Sequence, residues 1–189
     1  MDSGSRAGCP CHPSGDTTFL EQIVSVLQRS EVDRITAVLG AQAGMIQAST
    51  DFSGTDVVLN EDYRKGQLSS LIVGLKSLPP EATAILLCLV DNPLITVASV
   101  DGVVGAFRVT GKPIVVPVFE GRRGHPALFA RTMFEELLNA PADKGARYVV
   151  QSHDDQVFEV EIPEPAILAR IDTPEDYLSH FGTAPRIIE

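Results

Sequence analysis

What the chain has little of narrows its function first. Basic residues are scarce: 15 Lys and Arg stand against 25 Asp and Glu, for a net charge of −10. Unspecific binding to nucleic acid needs a basic surface, so nucleic acid is not an expected partner. A polyanionic substrate would have to be held by a local cluster of Arg and Lys, or by a divalent cation. No apolar run approaches the ~20 residues that a membrane span requires, so no membrane is expected either. A leader of charged and then apolar residues is missing from the N-terminus, and nothing there directs export. Cysteine is too sparse for a disulfide framework, with three in the chain and one of them, Cys88, inside an apolar run. The expected setting is the cytoplasm. What is present is 189 residues, 44% of them hydrophobic and 21% charged, the balance of a folded domain of ordinary size.

The stretch that organises the rest is Ala84-Ile85-Leu86-Leu87-Cys88-Leu89-Val90-Asp91-Asn92-Pro93. A continuous apolar run without helical spacing of polar residues reads as a strand buried on both faces. It ends in a carboxylate. In open α/β sheets, ligands sit in the crevice beyond the carboxyl ends of strands. Asp91 therefore either projects toward a metal or substrate, or caps the helix that follows.

Taken in order, residues Met1 to Ser14 show no strand or helix pattern and read as an irregular tail. Cys9, Cys11 and His12 fall there, too few for a tetrahedral metal site by themselves. Asp16 or Thr17 can cap a helix with Phe19, Leu20, Ile23, Val24 and Leu27 on one face. Val32 to Leu39 reads as a strand, Ala41 to Ala48 as a short helix, and Asp56 to Leu59 as a strand. A helix with Leu68, Leu71, Ile72 and Leu75 on its buried stripe follows a start rich in Gly and Ser, where free backbone N–H groups and small side chains admit a ligand. Thr96 to Phe107 reads as a helix. Pro113 to Val118 is a strand with Pro at its ends, hence expected near an edge. Arg122, Arg123 and His125, packed between glycines, form a dense cationic loop suited to a phosphate-bearing ligand, or else a solvated hairpin tip. Phe129 to Leu138 and Tyr148 to Gln151 read as helices, Val157 to Ile162 and Ile167 to Ile171 as strands. Thr173 caps a last helix with Pro174 at its first position, but capping leaves Asp172 unexplained. The alternation of strand and helix implies a mostly parallel sheet covered on both faces.

Five pieces occur in one order: N-x-x-x-x-x-G-x-x-S-S-L at residues 60–71, L-V-D-N-P-L at 89–94, G-R-R-G-H-P-A-L-F at 121–129, D-K-G-A-R at 143–147 and I-D-T-P-E-D at 171–176. Together they resemble the MobA-like nucleotidyltransferase family, most closely its molybdenum cofactor cytidylyltransferase branch. The resemblance implies a three-layer Rossmann-like fold of the GT-A type, with a mixed, mostly parallel sheet. It implies transfer of a nucleotide, CMP from CTP in the closest branch, to the phosphate of a molybdopterin cofactor, with Mg²⁺ as cofactor and pyrophosphate leaving. A molybdoenzyme or its chaperone is the protein partner it suggests. Asp91 and Asp172 match the family's metal-binding, catalytic carboxylates. Gly66, Ser69 and Ser70 match the segment beside the base and ribose. Arg122, Arg123 and His125 fall in the segment lining the acceptor pocket.

The start departs from the family, which opens with an apolar strand and then A-G-x-S-x-R-M-G-x-P-K. Here Arg6, Gly8 and Pro10 align with the R, G and P of that loop, which makes Arg6 and Gly8 candidates for the nucleotide's phosphates, and Cys11 stands where Lys is expected. The expected layout is a remnant of the phosphate loop at residues 1–14 and a transferase domain lacking its first strand at 15–189. An impaired remnant that binds a nucleotide weakly, or serves as an interaction domain, is the alternative, and a sugar-nucleotide transferase on the same fold is a third.

Overall fold

The computed structural model describes residues 17–183; the tail with Arg6, Gly8, Cys9, Cys11 and His12, and the Asp16 cap, lie outside the described residues. Seven helices and seven strands are found among the described residues: α1 (Phe19–Gln28), β1 (Thr36–Leu39), α2 (Ala43–Ser49), β2 (Asp56–Leu59), α3 (Gln67–Ser77), β3 (Ala84–Leu87), α4 (Val97–Thr110), β4 (Ile114–Phe119), β5 (Arg122–Arg123), β6 (Ala127–Ala130), α5 (Phe134–Leu138), α6 (Ala146–Ser152), β7 (Val157–Glu161) and α7 (Pro174–Phe181). None of these helices is long and apolar enough to cross a membrane.

The cap of α1 is Thr18, one residue beyond Thr17. Its backbone is extended, and Glu21 three residues on completes a reciprocal box: Glu21 N–H donates to Thr18 Oγ1 and Thr18 N–H to the Glu21 carboxylate. Thr173 and Asp176 repeat the device at α7, with Pro174 at the first helical position.

The strands form two sheets. β1 and β2 pair in parallel. The larger sheet runs β3-β6-β4, with β5 and β7 both on β4. Within it, β3–β6, β4–β6 and β4–β5 are antiparallel and β4–β7 is parallel. The architecture is α/β with mixed sheets, and the expectation of a mostly parallel sheet is corrected. The reason is β6. Its four residues are all buried, and the last two, Phe129 and Ala130, fall where the sequence predicts the start of a helix; instead the strand pairs with β3 on one side and β4 on the other. A short apolar run carries no periodicity that separates strand from helix, and two flanking ladders decide it. The helix starts only at Phe134, after a 3₁₀ turn over Arg131–Met133.

Three further expectations shift. β4 is not an edge strand, since β6 and β5 lie along one side and β7 along the other. Pro117 is tolerated because its C=O accepts from Gly124 N–H, so its polar groups face the side where β6 has ended and β5 has barely begun. β3 stops at Leu87 and is half-buried along its whole length, and among the described residues it pairs with β6 alone. Residues 167–171 are not a strand; a 3₁₀ turn over Pro165–Leu168 is followed by chain that joins no strand ladder among the described residues.

Helices cover both faces of the larger sheet. Val115 and Leu128 meet Ile23 and Val26 of α1 and Val100, Val103 and Val104 of α4. On the opposite face Ile114, Val116 and Phe129 meet Leu75 of α3, Leu137 of α5 and Val149 of α6. Alternation along β4 thus feeds two cores. α3 also lies along β1, with Gly74 close against Val38, so one helix joins the two sheets. Among the described residues no strand pairs the outer edge of β1 or of β3.

Candidate functional site

The chain beyond β3 and the chain before α7 are tied together by main-chain and amide bonds. Asn92, 4% exposed, donates from Nδ2 to the Ala169 carbonyl at 2.6 Å. Ile171 N–H donates to the Asp91 carbonyl at 2.8 Å, and His125 N–H to the Ile167 carbonyl at 2.9 Å. Gly124 is required beside that last bond, because a Cβ there would sit 2.4 Å from the Ile167 oxygen. So three segments distant in sequence, 91–92, 124–125 and 167–172, meet at one end of β3.

This brings two carboxylates onto one donor. Arg170 Nε lies 3.0 Å from Asp91 Oδ2 and 2.6 Å from Asp172 Oδ2. Both aspartates therefore lie within the span that one cation bridges. Asp91 is the deeper of the two, its side chain 18% exposed against 43% for Asp172. Its Oδ1 is buried and has no hydrogen-bond partner among the described residues. Burial pushes the Asp91 carboxyl above the usual carboxylate range; Arg170 pulls it back, and the hydrogen bond and charge of Asp172 push it up again. His125 is largely buried nearby. Burial holds its imidazole below the ordinary histidine value, against the attraction of Asp91 and a hydrogen bond to the Leu87 backbone. At neutral pH the ring is uncharged.

These residues fit a hard divalent cation. Two carboxylates that share one positively charged nitrogen offer the same pair of Oδ2 atoms to a divalent cation, whose charge would offset the cost of burying Asp91. Two protein oxygens with the remaining shell left to water and phosphate is how Mg²⁺ is usually held at phosphoryl-transfer sites. No group of three or more His, Cys, Asp and Glu is placed to hold a metal among the described residues.

The other residues singled out in the sequence fall elsewhere. Gly66 has φ +94° with open space where a Cβ would point, at the start of α3. The Ser69 and Ser70 hydroxyls both accept from Asn60 Nδ2, at 2.8 and 3.0 Å, and Asn60 is buried. That cluster belongs to the β2–α3 connection; no hydrogen bond or ion pair joins it to the aspartates among the described residues. The cationic loop is a β4–β5 hairpin, its two-residue turn Glu120–Gly121 at positive φ in both positions. Arg123 is not free: it bonds Glu159 at 2.6 Å and Asp154 at 2.7 Å. With His125 neutral, Arg122 is the loop's one guanidinium that makes no ion pair among the described residues. Arg122 and Arg170 line the same open cleft of about 390 Å³, with Phe119, Glu120, Pro165 and His180.

Sequence reasoning passed over Arg170 and Asn92. Asn92 carried a signal, an amide directly after the strand-end carboxylate, where a buried side chain can tie down a crossing segment. Arg170 carried none, since its role depends on a contact 79 positions away along the chain.

A family model, the MobA-like NTP transferase domain, matches residues 6–157, a span that includes Asp91 and ends before Asp172. The structure is similar to that of Rv0371c from Mycobacterium tuberculosis H37Rv, at 31% identity and TM-score 0.80, covering 92% of this chain and 88% of that one. The manganese complex of the same protein gives 30% identity and TM-score 0.81, over 96% and 94% of the two chains. An Rv0371c homologue from Mycobacterium sp. strain JC1 matches at 28% identity and TM-score 0.79, over 91% and 85%. Among curated proteins none matches the chain.

Proposed function

The chain belongs to the MobA-like NTP transferase family, and on that footing we propose that it transfers a nucleotide, CMP from CTP, to the phosphate of a molybdopterin-type cofactor, releasing pyrophosphate in a Mg²⁺-dependent reaction. Nucleotidyl transfer is the chemistry of the family. The observation that carries it is the convergence of Asp91 and Asp172 on one cationic nitrogen, with Asp91 Oδ1 buried and without a partner among the described residues.

Asp91 and Asp172 are the residues that would hold the metal. When bound, Mg²⁺ neutralises charge on the phosphates and on the departing pyrophosphate. The crystals of Rv0371c with manganese support a divalent ion of the same charge and coordination class. Asn92, through Ala169, keeps Asp172 at bonding distance from its partner. Gly66, Ser69 and Ser70 border the base and ribose, where the open space over Gly66 admits a close approach. Arg6 and Gly8 contact the triphosphate. Arg122 meets an anionic group of the acceptor in the cleft, neutral His125 supplies a hydrogen-bonding ring, and Arg123, locked to Glu159 and Asp154, fixes the hairpin that carries Arg122. Residues 15–189 act as one transferase domain, with 1–14 the remnant of its phosphate loop.

The test is direct. Protein, Mg²⁺, molybdopterin cofactor and either CTP or GTP are incubated, and pyrophosphate and the dinucleotide product are quantified. Product from CTP in excess of GTP supports the assignment. Pyrophosphate with neither nucleotide overturns it. A second reading, an impaired domain that binds nucleotide weakly, is favoured by Cys11 standing where the family's loop carries Lys; calorimetric titration with CTP and Mg²⁺ that gives no heat at millimolar ligand decides for it.

A further inference from the structure

Arg170 is the residue that neither composition nor motif explains. Its side chain is 66% exposed, so the protein gains little by burying it. Yet its Nε is committed to two carboxylates at once. Asp91 and Asp172 would otherwise repel each other across a short gap, with Asp91 partly desolvated. A single N–H is shared between the two Oδ2 atoms, and Arg170 also lines, together with Arg122, the cleft described above.

We propose that Arg170 is the resident counter-ion of the acidic pair: it holds Asp91 and Asp172 at metal-binding spacing in the metal-free protein and competes with a divalent cation for the same two oxygens. This rests on the reading that the pair binds metal. The argument is one of sterics and charge. A cation bonded to Asp91 Oδ2 and Asp172 Oδ2 at about 2.1 Å takes the lone pairs that Nε–H now uses, and a guanidinium left at 3.0 and 2.6 Å would repel it. Exchange is feasible because the Arg170 side chain is mostly exposed, whereas the main chain that carries the two aspartates is tied by Ile171 N–H on the Asp91 carbonyl and by the Asn92 amide on the Ala169 carbonyl. The guanidinium does not have to leave the site: it swings into a cleft that already presents Arg122, where an anionic group arriving with the metal would receive it. Arg170 is thus a positioning residue, acting through the aspartates.

The experiment measures Mn²⁺ binding directly, by the loss of the free-ion paramagnetic resonance signal, with no nucleotide and no acceptor present. Arg170→Gln removes the competing charge but keeps a side chain of similar length. It is expected to bind Mn²⁺ about fivefold more tightly than the wild type, the size of removing an exposed ion pair of about 1 kcal/mol. Arg170→Lys keeps the charge and is expected to stay near the wild type. In chelator, Arg170→Gln should melt below the wild type, and saturating Mn²⁺ should restore more of its melting temperature than it adds to the wild type. Equal or weaker Mn²⁺ binding by Arg170→Gln overturns the proposal while leaving the metal site standing. No Mn²⁺ binding by the wild type, Arg170→Gln or Arg170→Lys overturns both, and Asp91→Asn serves as the blank that tells specific from loose binding.

Discussion

Three glycines, given the same added methyl group, should respond in three different ways. At Gly124 an added Cβ would lie 2.4 Å from the Ile167 carbonyl oxygen, 2.9 Å from its carbon and 3.0 Å from Ile167 Cγ1. The first two are backbone atoms and cannot rotate away. Ordinary contact begins at 3.4 Å, so the 165–172 segment must retreat by about an ångström. The His125 N–H bond to Ile167 O, now 2.9 Å, would be stretched in the same movement. Overpacking of this kind costs about 2 kcal/mol, which for a domain of this size is a fall of roughly 4–8 °C in melting temperature. At Gly105, inside α4, nothing lies within 4 Å of the new atom. There Ala should stabilise by about 0.5–1 kcal/mol, through helix propensity and a less free unfolded chain. Gly102, on the same helix, is the intermediate case: its Cβ would meet Ile162 Cδ1 at 2.6 Å, the far end of a side chain that can turn aside. The helical gain and the repacking cost should nearly cancel. Differential scanning calorimetry on Gly105→Ala, Gly102→Ala and Gly124→Ala orders the three. Because the 165–172 segment carries Arg170 and leads to Asp172, Gly124→Ala should also weaken Mn²⁺ binding, whereas Gly105→Ala should leave it alone. A Gly124→Ala protein that melts with the wild type and binds Mn²⁺ equally well would refute the close approach on which the site's assembly depends.

Asp91→Asn should abolish turnover and Mn²⁺ binding yet melt at or above the wild-type temperature in chelator, since the native carboxylate is held where burial disfavours its charge; a large fall in melting temperature would instead make Asp91 a structural residue. For His125 the folded protein binds a proton less readily than the unfolded chain, whose value is about 6.5. Its contribution is therefore complete above that pH and is lost as pH falls through 6.5, by at most about 1.4 kcal/mol per pH unit. Asp91, raised rather than lowered, acts in the opposite sense at lower pH: between its unfolded and folded values, acidification favours the fold. Melting temperatures of wild type and His125→Gln between pH 7.5 and 5.5 should converge at the acid end, and parallel curves would exclude the buried neutral ring. In β3 the ladder to β6 places Thr83 and Arg131 opposite one another through Arg131 N–H, so Ile85 and Leu87 face the same side and Ala84 and Leu86 face away. Hydrogen exchange should then be faster at Ala84 and Leu86 than at Ile85 and Leu87; equal protection would mean that the outer edge of β3 has a partner.

Local chemistry was legible and distant chemistry was not. The start of α7 could be read residue by residue, because Thr173, Pro174 and Asp176 satisfy one another within a single turn. The cap of α1 was misplaced by one position only because Thr17 and Thr18 are chemically equivalent until Glu21 is counted from each. β6 was not legible: Ala127–Ala130 is apolar at every position, so only its neighbours on both sides make it a strand. Pro117 pointed the wrong way for a related reason. A missing N–H excludes a residue from a continuous ladder, but it is harmless where one partner strand stops before another begins, and that interruption is a property of the sheet rather than of β4. The same divide runs through the site. Asp91 could be picked out from the apolar run that ends on it, and Asp172 from being surplus to the cap beside it. What brings them together is not in either motif. It is the amide of Asn92 on the Ala169 carbonyl, the absence of a side chain at Gly124, and a guanidinium whose own surroundings in sequence, Leu168-Ala169-Arg170-Ile171, look like ordinary strand. The acidic pair is therefore a product of how the 165–172 segment is laid across the sheet, and a substitution there that leaves both carboxylates in place can still dismantle it.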